Sequence, residues 1–215
     1  YGPAQMIETR KIPMRRPTSW LGETAPVAEA FDRPFDIAVV IVSILRPGLL
    51  RAVRSVYAQD FDGRVQILVG IDRPDGDRSV LDALLRECPD NMALCIIDPG
   101  YSTAANHGGL YSAYSGGALR TILSYMAHAV YVAYLDDDNW FAPGHLSSLR
   151  DAVTGYDWGF SFRIFVSPDS QEPVCIDEWE SVGPGRGIFR EKANGFADPN
   201  TIMLNKLNCH VILPH

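Results

Sequence analysis

Residues 131–140 read YVAYLDDDNW, and this stretch places the hardest demand on any fold the chain can adopt. A short run of Tyr, Val and Leu predicts a strand buried on both faces of a sheet. Asp136, Asp137 and Asp138 follow in succession, with Asn139 behind them. Ionised carboxylates without partners cannot stay in such a core, because their desolvation is too costly. The three must therefore surface together where the strand ends. Clustered hard oxygen ligands there suit Mg2+ or Mn2+, which in turn hold phosphate oxygens. The plainer alternative is an acidic turn capping the next helix, since Asp and Asn are good N-cap residues and Pro is common in a first turn. Capping needs one such residue, whereas three in a row repel one another. A metal or phosphate role is the better reading.

The chain leading to this stretch has a simple rhythm. Residues 1–35 are rich in Pro, Arg and Glu and show no period, so they are expected to form an irregular arm or linker. From Asp36 the β-branched run Ile37–Val42 predicts a central parallel strand ending at Ser43. Leu49, Leu50, Ala52, Val53, Val56 and Tyr57 then mark one face of a helix, with Arg51 and Arg54 outside. Val65–Ile71 predicts a second strand ending at Asp72. A turn cluster from Arg73 to Asp77, a short helix over Val80–Leu85 and a third strand over Ala93–Ile97 follow. This β-α-β-α-β order implies a mostly parallel, Rossmann-like α/β sheet with helices on both faces, in which ligands bind beyond the carboxyl ends of the strands. Ser43, Asp72 and Asp136 all lie at those ends.

Pro99–Gly117 holds five glycines and three tyrosines, Tyr101, Tyr111 and Tyr114. It reads either as a surface loop or as a lid over a substrate. A helix over Ala118–Ala129 leads into the Tyr131 strand. Beyond Pro143, a helix is expected over His145–Val153, one strand over Trp158–Val166, and a partner strand over Val174–Trp179 across a turn at Pro168–Ser170. Thr201–Leu204 predicts a last short strand, with a helix attempted from Lys206. A start at Tyr1 and an end without a closing element suggest a piece of a longer chain.

Composition narrows the partners. A net charge of −7 argues against nucleic acid as the main ligand, which would need clustered Lys and Arg. No run approaches the roughly eighteen apolar residues of a transmembrane span, and no signal-peptide pattern is present. Cys88, Cys95, Cys175 and Cys209 lack zinc spacing and read as free thiols of a reducing compartment. A cytoplasmic location is expected, with peripheral membrane attachment left open. Neither GxGxxG nor GxxxxGK[ST] occurs, so dinucleotide and Walker loops are not expected.

Four features together resemble one family. They are the VVIVS strand end, the helix that runs into Gln59-Asp60-Phe61, the second strand ending in Asp72, and the YLDDDN strand end followed by Pro143 and a helix. Over residues 36–165 the chain resembles the nucleotide-sugar-binding half of family-2 glycosyltransferases, which have the GT-A fold. The resemblance implies one domain over 36–215, with a nucleotide-sugar-binding part at 36–140 and an acceptor-side part at 141–215. It implies that Ser43 lies near the nucleoside, that Asp72 contacts the base, and that Asp136, Asp137 and Asp138 cover the DxD motif. Asp138, with Asp136, would hold Mn2+ or Mg2+, and Asp136 and Asp137 would reach ribose or diphosphate. Arg120 matches an Arg on the helix before that strand, or is a solvated helix charge. The chain departs from the family at Arg73, where a second Asp is usual, and at Ser43-Ile44-Leu45, where Thr-Tyr-Asn is usual.

The activity so implied is metal-dependent transfer of a sugar from a nucleoside-diphosphate donor, a UDP-sugar being favoured, to a carbohydrate or other hydroxyl acceptor, with inversion. Inversion needs a carboxylate base, for which Asp177, Glu178, Glu180 and Asp198 are the available acids, with Glu180 and Asp198 carried forward. Trp140, Trp158 and Trp179 could stack on sugar faces or fill the core. Two alternatives are a sugar-1-phosphate nucleotidyltransferase, although Ser43–Gly48 lacks its Gly-rich, Lys/Arg-bearing loop, and a non-catalytic nucleotide- or glycan-binding domain. Oligomeric state is not encoded in any of these features.

Overall fold

The computed structural model describes residues 31–72, 76–112 and 116–209. Most of the expected N-terminal arm, together with Arg73 and Tyr114, lies outside the described residues. The β-branched runs form the strands assigned to them: β1 (Phe35–Ser43), β2 (Val65–Ile71), β3 (Met92–Ile97) and β4 (Ala129–Asp136). They lie parallel in the order β3-β2-β1-β4. β2 is buried along its whole length, and Val132–Leu135 of β4 are buried as well.

Alternation along β1 divides the core in two. Ile37, Val39 and Ile41 face a cluster shared with α1 (Gly48–Tyr57), α2 (Ser79–Glu87) and α4 (His145–Ala152). Ala38 and Val40 face the opposite side, against Leu119 and Leu123 of α3 (Gly117–Met126). Helices thus cover both faces, as the sequence implies. α1 buries Leu49, Ala52, Val53 and Val56, while its outward Arg54 binds Glu87 of α2 through two 2.7 Å hydrogen bonds. Removing these side chains from water is the main stabilising contribution, at roughly 1.5–3 kcal/mol for each large one. All four cysteines are unpaired.

Several expectations need correction. α3 stops at Met126, and Ala129 already belongs to β4, because Phe35 donates from its backbone to His128 and draws the chain into the sheet. The stretch Trp158–Val166 is two strands. β5 (Trp158–Phe160) joins the main sheet; β6 (Ile164–Val166) pairs with β7 (Pro173–Ile176) in a separate hairpin. The break falls where Arg163 turns toward three carboxylates. The expected last strand is present as β10 (Ile202–Asn205), lying antiparallel between β4 and β5. Residues 206–208 form a turn where a helix is expected. β8 (Gly183–Pro184) and β9 (Gly195–Phe196) form a minor pair flanking the one-turn α5 (Arg190–Ala193).

Candidate active site at the carboxyl edge of the sheet

β1 has β2 on one side and β4 on the other, and the connections leaving β1 and β4 pack against each other at the carboxyl edge of the sheet, where ligands of such sheets bind. The register aligns those ends: Ser43 pairs with Ile71, and Val42 with Asp136. Asp72 donates from its backbone to the Ser43 carbonyl at 2.9 Å. The Ser43 hydroxyl donates to Asp137 at 2.7 Å and accepts from the Leu45 amide at 2.9 Å. Ser43, Asp72 and the three aspartates therefore meet at one edge, although they are distant in sequence.

The three aspartates have three different environments. Asp136 is half-buried between Arg120, which donates at 2.5 Å, and Asn200, which donates from its side-chain amide at 2.9 Å and accepts from the Asp136 backbone. Asp137 is buried against Ser43, and burial pushes its carboxyl above the usual range, opposed by the Ser43 hydroxyl and the Arg46 guanidinium. Asp138 is the exposed one, with 60% of its side chain in solvent. Its carboxylate meets Arg46 at 3.1 Å, and Arg51 binds its backbone carbonyl at 3.0 Å while stacking on Trp140 at 3.8 Å. Gly48, at the start of α1, is packed so closely that a Cβ would stand 2.5 Å from the Asp137 carbonyl oxygen. Only glycine lets the helix approach the aspartate turn this far.

Arg120 is buried at 6% exposure, so it is not a solvated helix charge; its Nε has no hydrogen-bond partner among the described residues. Asp72 is buried too, and both of its oxygens are engaged: Ser102 donates to one, and the amide and hydroxyl of Thr103 to the other, each at 2.9 Å. The Gly-rich loop is accordingly pinned at its root, where Ser102, Thr103 and Ala104 are buried, while Tyr101, Leu110 and Tyr111 are exposed.

On the other side of β4, a cavity of about 360 Å3 is bordered by Asn139, Trp140, Phe162, Arg163, Asp198 and Asn200, among others. Arg163 organises this wall, binding Asp177 at 2.7 Å, Asp198 at 2.9 Å and also Glu180. Asp198 accepts from the Asn200 side chain at 2.7 Å, so an unbroken chain of polar contacts runs from Asp136 through Asn200 and Asp198 to Arg163. Burial raises the Asp177 carboxyl, but the amides of Glu180 and Ser181 and the Arg163 guanidinium outweigh it and hold the group below the usual carboxylate range. Glu178 is exposed and stands apart from this cluster. Glu180 does not line the cavity, and neither do Trp158, stacked on Phe160, or Trp179, stacked on Phe165.

Sequence reasoning missed Arg46, Arg51, Arg163 and Asn200. A signal was available for one of them: Arg163 is the single charge in the run Phe160–Val166, and an Arg set among aromatic residues needs carboxylates nearby.

His145 borders the same cavity, stacked on Phe141 at 4.2 Å, with its Nε2 unpartnered among the described residues. Burial pushes its pKa down to about 4. The unfolded chain therefore takes up this proton first, and stability is lost as pH falls below about 6.5 toward 4. Between pH 7 and 5 the loss from this residue should reach about 2 kcal/mol. His145→Leu should remove that part of the difference between melting curves recorded at the two pH values.

No protein-family model matches the sequence, and no curated protein does. Among solved structures, the chain is similar to Staphylococcus aureus TarS. Residues 1–349 of that protein give a TM-score of 0.54 at 12% identity, over 80% of this chain and 47% of TarS 1–349. A longer TarS structure gives 0.56 at 10% identity, over 80% of this chain and 28% of that one. TarS 1–349 in complex with UDP-GlcNAc gives 0.54 at 12% identity, over 80% and 45%. The chain thus spans less than half the length of each of these proteins. No helix among the described residues is long and apolar enough to cross a membrane. The mostly parallel sheet, its helix layers and this likeness together establish an α/β fold of the GT-A type.

Proposed function

We propose that the protein is a glycosyltransferase that takes a sugar from a nucleoside-diphosphate donor, with UDP-sugar favoured, and delivers it to a hydroxyl acceptor with inversion. The observation that carries this reading is the exposed Asp138 carboxylate just beyond the end of β4, at the carboxyl edge of the parallel strands. Support comes from the fold shared with TarS, a protein crystallised with UDP and with UDP-GlcNAc.

A divalent cation fits the donor set. Mg2+ and Mn2+ are commonly held by one or two carboxylates, with phosphate oxygens and water completing the shell. Asp138 offers an accessible carboxylate, and Asp136, two residues before it in the chain, is the candidate for a second. No group of three acidic, His or Cys side chains among the described residues could hold a metal without such help. When bound with the diphosphate, Mn2+ or Mg2+ supplies neutralising charge for the leaving phosphate.

The remaining work falls to the protein's own residues. Arg120 and Asn200 fix the Asp136 carboxylate, so it is already oriented before a donor arrives. Ser43 and Arg46 hold the buried Asp137, which keeps the turn rigid. The cavity bordered by Trp140, Phe162 and Arg163 suits the acceptor, since it combines aromatic surface with hydrogen-bonding groups. Of the two candidate bases, Asp198 borders this cavity and Glu180 does not.

UDP with Mn2+, at about a hundred times its dissociation constant, should raise the melting temperature by roughly 5–10 °C. Asp138→Ala should abolish the rise. The absence of a shift with UDP-, GDP- and dTDP-sugars, with or without Mn2+, would rule the reading out. Transfer or hydrolysis of a radiolabelled donor by the full-length protein separates an enzyme from a domain that only binds.

A further inference from the structure

Arg46 differs from the other cations around the aspartates in being half exposed and held, among the described residues, by two carboxylates alone. Arg120 is buried on Asp136. Arg51 is exposed but tied to the Asp138 carbonyl and the Gln171 side chain, and it stacks on Trp140. Half of the Arg46 side chain is in solvent, and it touches two carboxylates, Asp138 at 3.1 Å through Nη1 and Asp137 at 3.7 Å through Nε. The backbone beneath it is fixed. Leu45 is buried in a left-handed conformation at φ +63°, its amide bonded to Ser43, and Gly48 is pressed against the Asp137 carbonyl. Movement is therefore confined to the side chain.

The carboxylate that Arg46 occupies is the one a divalent cation would use. A guanidinium and a divalent ion on the same carboxylate repel each other, so the ion gains full access only when Arg46 leaves. A donor diphosphate offers Arg46 a better partner, because the planar guanidinium binds phosphate oxygens in a fork. We infer that Arg46 exchanges partners: it holds the Asp138 carboxylate before the donor binds and turns to the diphosphate once the cation takes that carboxylate. The inference rests on the proposed donor reading and adds coupling to it. The metal and the nucleotide favour each other because each removes an obstacle to the other.

The test measures Mn2+ binding by the electron paramagnetic resonance signal of the free ion, and UDP binding by calorimetry at saturating Mn2+, on the wild-type chain, Arg46→Met and Arg46→Lys. Arg46→Met should bind Mn2+ alone about fivefold more tightly and UDP about tenfold more weakly. Arg46→Lys, which keeps the charge but loses the fork, should fall between the wild type and Arg46→Met on both measures. A single cooperative melting transition of each variant without ligand serves as the check on folding. Wild-type binding of both ligands with either affinity unchanged in Arg46→Met overturns the exchange and leaves the donor reading standing. A wild-type chain that binds neither ligand overturns both.

Discussion

Replacing Arg163 with methionine should lower stability by about 4 kcal/mol, the scale for removing one partner of a buried ion pair. For a domain of this size that corresponds to roughly 8–16 °C in melting temperature. The loss is large because Asp177 is fully buried. Without the guanidinium, its charge would rest on the amides of Trp179, Glu180 and Ser181 alone. Lysine at 163 should recover only part of the loss, since one ammonium cannot span three carboxylates held on separate segments. The pH dependence follows from the depressed Asp177 pKa. Its contribution is present above the unfolded carboxyl value and disappears as pH falls below about 4. The gap between wild type and Arg163→Met should therefore narrow when melting is followed down to pH 3.

Asp72→Asn should cost about 3 kcal/mol and release the loop that Asp72 pins. The carboxylate accepts three hydrogen bonds from Ser102 and Thr103 in a buried setting. An amide that keeps its oxygen on Thr103 turns its NH2 toward Ser102, whose hydroxyl must then accept and give up its own bond, and the charge that strengthens all three contacts is lost. New proteolytic cleavage between residues 99 and 112, alongside a lower melting temperature, is the expected result. Ser102→Ala combined with Thr103→Val should reproduce most of the new cleavage while leaving the Asp72 carboxylate intact. Nucleotide affinity measured on both variants then separates two roles for Asp72, direct contact with a base and support of the loop. The geometry favours support.

Much of this architecture was legible in the chain itself. β2 starts and ends where its β-branched run does, and α1 differs from its apolar pattern by a single residue at its start. Those elements are long, periodic and bounded by turn residues. The three aspartates were legible for a different reason: a buried strand cannot absorb them. Lateral order was harder, because hydrophobic period says which face of a strand is buried and nothing about its neighbours. The sequence therefore marked β10 as a strand without placing it between β4 and β5. The split between β5 and β6 was hidden by alternation that continues unbroken through Ser161, Phe162 and Arg163. Around the site, acidic residues drew attention and their cations did not. An Arg in a turn, such as Arg46, looks like any solvated charge until the carboxylates opposite it are located.

The position of β10 bears on how the chain matures. Its three residue pairs with β4 cover an edge that would otherwise display unsatisfied amides and carbonyls. A polypeptide ending near residue 140 would carry all three aspartates and still leave that edge bare, inviting self-association. Residues 36–140 thus gain a covered sheet edge only once residues 202–205 have been made.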